Sequence, residues 1–318
     1  MAEAFDVARY LTGGVEAMVK ELLKGAVFHP REAKFMTQAV LSSKRAADIR
    51  KAAEKRGEPA PICLTASVTR DGLTGAEWLR VFAEARELGI GFILLVLGEP
   101  MACRDVLEAA AQVPEILFPI FANGTVMTED LIDLFDRKRH LLPVVDVGDA
   151  AAMAQMKRRH MNFGAVATVT PANLSESTAE GPLRDAGDRG CKVILFMEGL
   201  PTAGTPALTD AERADFLGRL DGLRGRNGLP LLVAFPGDER AFGGCFAAGH
   251  GFIHIDADGG AEACPYAPSS DVSVKDHSLR EALQSGMFRA LRESGMLART
   301  HDGGCVMRLT PPNDKEVS

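Results

Sequence analysis

The sequence predicts an α/β fold with a parallel sheet, on three observations. Six short apolar runs alternate with amphipathic stretches of helical period between residues 62 and 197. The runs have the length of strands and the stretches the length of single helices. The composition, 46% hydrophobic and 25% charged, is that of a globular domain. Strand and helix units in series require right-handed crossovers and form either an open doubly wound sheet or a barrel.

The predicted helices and strands are joined by short loops. The pattern of residues 1–58 predicts helices, and the glycine and prolines at 57–61 are expected to end them. Strands are predicted at 62–68, 92–97, 116–121, 141–147, 165–169, 193–197 and 231–235. Helices are predicted at 75–88, 104–112, 128–139, 150–160, 173–189, 208–226 and 276–294. Thr209 with Glu212 forms a capping-box pattern at the start of its helix.

Composition excludes several classes of function. With a net charge of −7 and 36 scattered Lys and Arg residues, the chain lacks the basic patch of a nucleic-acid-binding protein. No apolar run reaches the roughly 18 to 20 residues that span a bilayer, and the first residues lack the pattern of a signal peptide. We therefore expect no membrane partner and a cytoplasmic location. Six cysteines in such a protein indicate reduced thiols or metal ligands.

Chemistry in parallel α/β folds gathers where strands end and the following loops begin. The residues at those predicted ends are Thr69, Gly98 to Pro100, Asn123 with Gly124, Asp146, Thr170 and Glu198. Converging carboxylates of Glu99, Asp146 and Glu198 could bind a divalent metal or move protons. One hypothesis is therefore a barrel enzyme that uses these strand-end carboxylates as acid and base.

A glycine-rich stretch from Phe235 to Cys264 brings two cysteines to the ends of a predicted hairpin, and Cys305 offers a third thiol. Glycines let backbone approach a bulky inorganic group, and thiolates are the ligands of iron–sulfur clusters. Ordinary buried cysteines are the alternative, and zinc is the second metal that such a set suits. Candidate fourth ligands are His250, His254, Asp256 and Asp271.

Three motifs carry a resemblance to a known family. They are Leu97-Gly-Glu-Pro100 after the second strand, Phe121-Ala-Asn-Gly124 after the third, and Cys245 spaced by thirteen residues from Gly259 and by four more from Cys264. In these motifs the chain resembles the radical S-adenosylmethionine (SAM) superfamily, in its branch with a C-terminal SPASM or twitch-type auxiliary domain.

The resemblance implies a fold and a set of site residues. It implies N-terminal helices at 1–60, a partial (β/α)6 TIM-like barrel at 61–230, and a small SPASM or twitch-like domain at 231–318. Gly98, Glu99 and Asn123 would contact SAM. Cys245, Cys264 and Cys305 would hold one auxiliary [4Fe–4S] cluster, with zinc as the alternative.

One family motif is absent from the sequence. Radical SAM enzymes carry a Cys-x3-Cys-x2-Cys loop after the first strand, but here the strand ending at Thr69 passes straight into Arg70 to Thr74. Leu97 and Ala122 replace the family's glycine and threonine, so we expect SAM binding to be impaired. The favoured hypothesis is an iron–sulfur protein that generates no radical and acts as a binding or electron-transfer partner for a small molecule, a peptide or another enzyme. The alternative within the family is a radical SAM oxidoreductase whose loop is missing from this sequence only.

Overall fold

A computed structural model of the chain describes residues 5–26, 30–122, 127–199 and 206–298. The strands are β1 (Cys63–Val68), β2 (Phe92–Leu97), β3 (Phe118–Ala122), β4 (Leu141–Asp146), β5 (Gly164–Val169), β6 (Val193–Glu198), β7 (Leu231–Phe235), β8 (Phe252–Ile255), β9 (Gly260–Cys264) and β10 (Ala267–Ser273). The α-helices are α1 (Val7–Ala26), α2 (Pro30–Lys55), α3 (Gly75–Glu87), α4 (Arg104–Ala110), α5 (Glu129–Arg137), α6 (Ala150–Arg158), α7 (Leu174–Ser177), α8 (Glu180–Asp188), α9 (Asp210–Leu223), α10 (Leu279–Ala282) and α11 (Gly286–Glu293).

The strands form one sheet in the order β10-β9-β8-β1-β2-β3-β4-β5-β6-β7. From β1 to β7 every neighbouring pair is parallel and the order follows the chain. A doubly wound sheet reverses its order at one point, whereas a barrel does not. The strand order from β1 to β7 is therefore that of a barrel. Within the described ranges no ladder joins β7 to β10, so the barrel is partial, as predicted.

The two faces of the sheet have different environments. Leu64, Ala66 and Val68 of β1 are buried in the main core, which includes Trp78 and Phe82 of α3. The opposite side, which we call the inner face, carries a separate small cluster of Phe121, Val144 and Val166, packed with the partly buried Leu94, Leu195 and Met197. The inner face is open in places, since Val96 is 37% exposed.

Local sequence signals place the helix starts. Thr74 and Glu77 form a capping box at α3, and Thr209 and Glu212 form the predicted one at α9. Each box satisfies backbone N–H groups that a helix start leaves without partners.

Two predicted helices are each divided. The helix expected at 173–189 is interrupted at Ala179, which has extended backbone angles. The helix expected at 276–294 is interrupted at Ser285, whose side chain caps the start of α11. In both cases a residue takes the cap conformation inside the apolar period, and periodicity alone does not reveal such a break.

The N-terminal helix α1 covers the outer edge of the sheet at β7. The Leu232 N–H donates to the Tyr10 hydroxyl oxygen over 2.9 Å, so one edge donor of β7 has a partner. The Arg224 guanidinium lies 5.5 Å from the centre of the Tyr10 ring. The predicted helical N-terminal section therefore packs against the far edge of the barrel.

The C-terminal strands extend the same sheet. β8 lies parallel beside β1, and β9 and β10 continue it with antiparallel pairs. The domain boundaries at 60 and 230 stay predictions. Across the ranges described, the helices include none long and apolar enough to cross a bilayer.

Candidate functional site

The strand-end turn Leu97 to Pro100 presents a glycine and a carboxylate to solvent. Gly98 and Glu99 are exposed, and a Cβ added at Gly98 would have no atom within 4 Å. Leu97 is 1% exposed and belongs to the main core with Ile93 and Leu95. Its side chain therefore packs towards the helices, and our expectation that it would obstruct a bound SAM has no support. Asn123 lies outside the described residues.

The link between β1 and α3 is short and packs through Gly72 and Leu73, while its other residues are exposed. The Leu73 N–H donates to the Ala257 carbonyl oxygen over 2.9 Å, and Leu73 is 3% exposed. A Cβ at Gly72 would lie 2.2 Å from the Ala257 oxygen, so the link packs directly against the turn between β8 and β9. The link thus contacts the main core and the β8–β9 hairpin, and it leads into the cap of α3. It contains no cysteine.

The strand-end carboxylates have structural partners. Glu198 is 6% exposed, and its two carboxylate oxygens each accept a hydrogen bond from the Arg213 guanidinium at 2.9 Å. Asp146 is exposed and accepts the Gly148 N–H over 2.8 Å. A metal or acid–base site built on Glu99, Asp146 and Glu198 would have to break the buried ion pair.

The structure brings Cys245 and Cys264 to one cavity, as the predicted hairpin required. Both thiols are buried, and the cavity between them and the surrounding aromatic side chains measures about 10 Å³. That volume is about the minimum for one water molecule. A [4Fe–4S] cluster is a cube of iron and sulfide atoms with four protein ligands. The cavity between the two described thiols is thus smaller than this cluster. Cys305 lies outside the described residues, so the three-cysteine site stays a prediction.

The walls of this cavity join the two ends of the sheet. The Phe235 ring of β7 lies 5.6 Å from that of Phe252 and 6.0 Å from that of Tyr266. The Tyr266 hydroxyl donates to the Glu198 carbonyl oxygen over 3.1 Å. Aromatic packing thus connects β6 and β7 to β8 and to the turn after β9, where a ladder is lacking.

The candidate fourth ligands are engaged in other contacts. Asp271 accepts the Met287 N–H at the start of α11, and Asp256 accepts the N–H groups of Asp258 and Gly260. His250 Nδ1 lies 3.2 Å from the Cys245 carbonyl oxygen. Among the residues described, no group of three His, Cys, Asp or Glu side chains is arranged to hold a metal ion.

His254 instead forms part of a polar row on the inner face. The strand register aligns Leu94 with Thr65, Thr65 with His254, and His254 with Glu262. Residues aligned across neighbouring strands point to the same face of a sheet. A hydroxyl, an imidazole and a carboxylate therefore lie side by side next to the apolar cluster of the inner face.

The distances within this row are those of a hydrogen-bonded group. His254 Nδ1 lies 2.8 Å from Thr65 Oγ1, and Nε2 lies 3.3 Å from Ser67 Oγ. The nearest Glu262 carboxylate oxygen is 3.7 Å from Nε2. The side chains of His254 and Glu262 are 5% and 8% exposed.

Burial controls the charges of the row. Burial lowers the pKa of His254 to about 4, so the imidazole is neutral at pH 7. Burial, with the nearby Asp256 carboxylate, raises the pKa of Glu262 to about 7. Both imidazole nitrogens of His254 have hydroxyl partners within the row. Sequence reasoning considered His254 only as a metal ligand and missed Thr65, Ser67 and Glu262, because their proximity depends on strand register.

Neither a protein-family model nor a curated protein sequence matches the chain. Solved structures do match it. SuiB of Streptococcus suis bound to S-adenosylmethionine superposes with a TM-score of 0.66 at 12% sequence identity, covering 84% of this chain and 76% of that chain. SuiB bound to the precursor peptide SuiA superposes with a TM-score of 0.62 at 12% identity, covering 88% of this chain and 76% of that chain.

At this identity the likeness shows the fold alone. It extends over 84% of this chain. The α/β partial barrel that the resemblance to the radical SAM superfamily implied is therefore confirmed as the fold of this chain.

Proposed function

We propose that this chain is a ligand-binding protein built on a radical SAM type of fold, and that it does not cleave SAM. The observation that carries the proposal is the link between β1 and α3, which holds no cysteine and packs through Gly72 and Leu73. Without three thiolates near the strand end, no cluster with an open iron forms there, and SAM has no electron donor.

Two residues hold this link in place. Gly72 contacts the β8–β9 turn too closely for a side chain, and Leu73 fills the core.

The inner face is the proposed binding surface. It combines half-buried apolar side chains, such as Leu94 and Met197, with the polar row of Thr65, His254 and Glu262. Binding sites commonly pair an apolar lining with a few convergent polar groups. The solved complex of SuiB with the precursor peptide SuiA supports a peptide as the class of ligand.

Electron transfer through an auxiliary cluster has less support than binding. The cavity beside Cys245 and Cys264 has room for about one water molecule. The described residues around it therefore favour a close-packed contact between the strands over a redox centre. SAM binding without cleavage remains compatible with the proposal, since Gly98 and Glu99 are accessible.

The first test measures SAM cleavage. The protein is purified anaerobically, treated with iron, sulfide and dithionite, and incubated with SAM, and 5′-deoxyadenosine is quantified. We expect no product above the protein-free control, whereas an active radical SAM enzyme treated in parallel gives one. Repeated turnover would overturn the proposal.

The second test locates the binding surface. Peptides enriched from a display library on the wild-type protein are measured against a Val96→Glu variant and against Val40→Glu, which places the same charge at an exposed apolar residue of α2. We expect loss of binding in the Val96→Glu variant only. Failure to enrich any peptide, or equal loss in both variants, would contradict the proposed surface.

A further inference from the structure

Glu262 is a buried carboxylate of the inner face that receives no hydrogen bond from any residue the structure describes. Its side chain is 8% exposed, and its nearest charged or titratable neighbour is His254, whose Nε2 lies 3.7 Å from a carboxylate oxygen. That separation is longer than a hydrogen bond. Both imidazole nitrogens already have hydroxyl partners, Thr65 and Ser67. The polar row therefore leaves the carboxylate without a donor.

The sheet supplies no positive charge to this carboxylate. Glu198 of β6 is also buried, but it accepts two hydrogen bonds from the Arg213 guanidinium. The ten strands that the structure describes contain no Lys or Arg, so Glu262 has no such partner on the inner face. Burial, and then the Asp256 carboxylate, raise the pKa of Glu262 to about 7, and none of the described cations acts in the opposite direction. A buried carboxylate that lacks a counter-charge is costly to keep ionised.

The carboxylate can be reached from the inner face. The described side-chain atoms that are fully buried and without a partner include neither Glu262 oxygen, so the carboxylate keeps some contact with solvent. Thr65 and Ser67 beside it are half-buried, and Val96 of β2 is 37% exposed. Leu94 is three strands away from Glu262 in the register, which corresponds to roughly 14 Å along the sheet. A short peptide spans that distance and can contact both the apolar cluster and the carboxylate.

We propose that Glu262 selects the ligand of the inner face, and that this ligand carries a cationic group, a protonated amine or a guanidinium, placed against the carboxylate. The inference rests on the binding function proposed for the inner face and names the chemistry of its ligand. Both cations donate N–H groups to carboxylates and would supply the positive charge that the strands lack. A neutral or anionic group at the same place would leave the buried carboxylate without a counter-charge, so the pair provides specificity.

The test combines a change in the ligand with a change in the protein. Peptides are enriched from a displayed random library on the full chain, and those whose binding is weakened by Val96→Gln are kept as ligands of the inner face. Each Lys or Arg of such a peptide is replaced by Gln. Every peptide is then measured by fluorescence anisotropy on wild type, Glu262→Gln and Glu87→Gln. Glu87 is an exposed glutamate of α3, so its variant removes the same charge away from the inner face.

We expect one Lys or Arg whose replacement weakens binding to wild type at least about tenfold, and a similar loss when the unchanged peptide is measured on Glu262→Gln. On that variant the cationic and the neutral peptide should bind alike, because the two changes remove the same interaction. Glu87→Gln should bind as wild type does. Exchange of Lys for Arg at this position identifies an amine or a guanidinium as the preferred cation, and either preference supports the proposal.

The possible failures are distinguishable. Inner-face peptides that bind without any Lys or Arg, or a Glu262→Gln variant that weakens cationic and neutral peptides equally, would overturn this inference and leave the binding function standing. Enrichment of no peptide, or of none that is sensitive to Val96→Gln, would overturn both. Glutamine keeps the shape of the Glu262 side chain, and the peptide replacements are measured on wild type, so the test does not depend on how the variant folds.

Discussion

Replacing Arg213 by methionine should cost the fold about 3–5 kcal/mol, because it breaks a buried ion pair and leaves the Glu198 carboxylate without its main counter-charge. The Arg213 and Glu198 side chains are 7% and 4% exposed. The guanidinium donates twice to Glu198 and once to the Leu208 carbonyl oxygen, all at 2.9–3.0 Å. Methionine keeps much of the volume and none of these donors.

The magnitude follows from burial rather than from the number of contacts. The contact of Arg213 with Asp210 adds little, since the Asp210 side chain is 91% exposed and solvent screens the pair. The Glu198 side chain, by contrast, is 4% exposed, so solvent screens its charge little. A loss of this size is a large part of the roughly 5–15 kcal/mol that stabilises a typical domain.

The assay is equilibrium unfolding in urea at pH 7. With a slope of about 3 kcal/mol per molar urea, the midpoint should fall by roughly 1–2 M. Arg219→Met on the same helix is the matched control, because its pair with Asp215 is exposed on both sides. The control should change stability by less than about 0.5 kcal/mol.

A double variant separates the pair from the packing of the arginine stem. Adding Glu198→Gln to Arg213→Met removes the carboxylate charge that Arg213 no longer balances and should recover a substantial part of the lost stability. The reasoning is refuted if Arg213→Met costs no more than Arg219→Met. It is also refuted if Glu198→Gln destabilises the double variant further, since the carboxylate would then be held by other groups.

Three further predictions test the cavity beside Cys245 and Cys264, the inner face and a helix cap. Anaerobically reconstituted protein should contain iron and sulfide well below the four of each in a [4Fe–4S] cluster, and a full complement lost in a Cys245→Ala, Cys264→Ala variant would restore the cluster hypothesis. The pKa of His254 is about 4 in the fold against an ordinary 6.5, so its stabilisation is complete above pH 6.5 and is lost as the pH falls towards 4. Wild type should therefore lose about 2–3 kcal/mol more than His254→Asn between pH 7 and pH 4.5 in urea unfolding, and equal losses would contradict the burial argument. Thr74→Ala should cost about 1 kcal/mol by removing the cap of α3, with unchanged stability as the contrary result.

Local periodicity was sufficient to predict most of the barrel. β1, β2 and β4 to β7 lie within a residue or two of their predicted places, because buried parallel strands are short continuous apolar runs between amphipathic helices. Periodicity failed where a single backbone conformation interrupts a regular pattern, as at Ala179 and Ser285. β10 was not predicted, because its residues are mostly exposed and polar and carry no apolar signal.

The direction of a side chain at a strand end was the second feature that the sequence did not predict. Replacement of glycine by Leu97 suggested an obstruction near bound SAM, but alternation along β2 places this side chain with Ile93 and Leu95 on the helix side. A substitution at a strand end has opposite consequences on the two faces, and the motif alone does not specify which face it occupies.

The polar row on the inner face could not be inferred from spacing at all. Thr65 and His254 are 189 residues apart, and they meet only because β8 returns to pair with β1. Glu262 joins them because the β8–β9 hairpin aligns it with His254, and a shift of one residue in that register would turn its side chain to the other face. The same hairpin presses Ala257 onto Gly72, in the link where radical SAM enzymes carry their cluster cysteines. A single element thus supplies the buried polar groups of the proposed binding face and packs against the link that lacks the cluster cysteines. These two features together support the binding function that we propose.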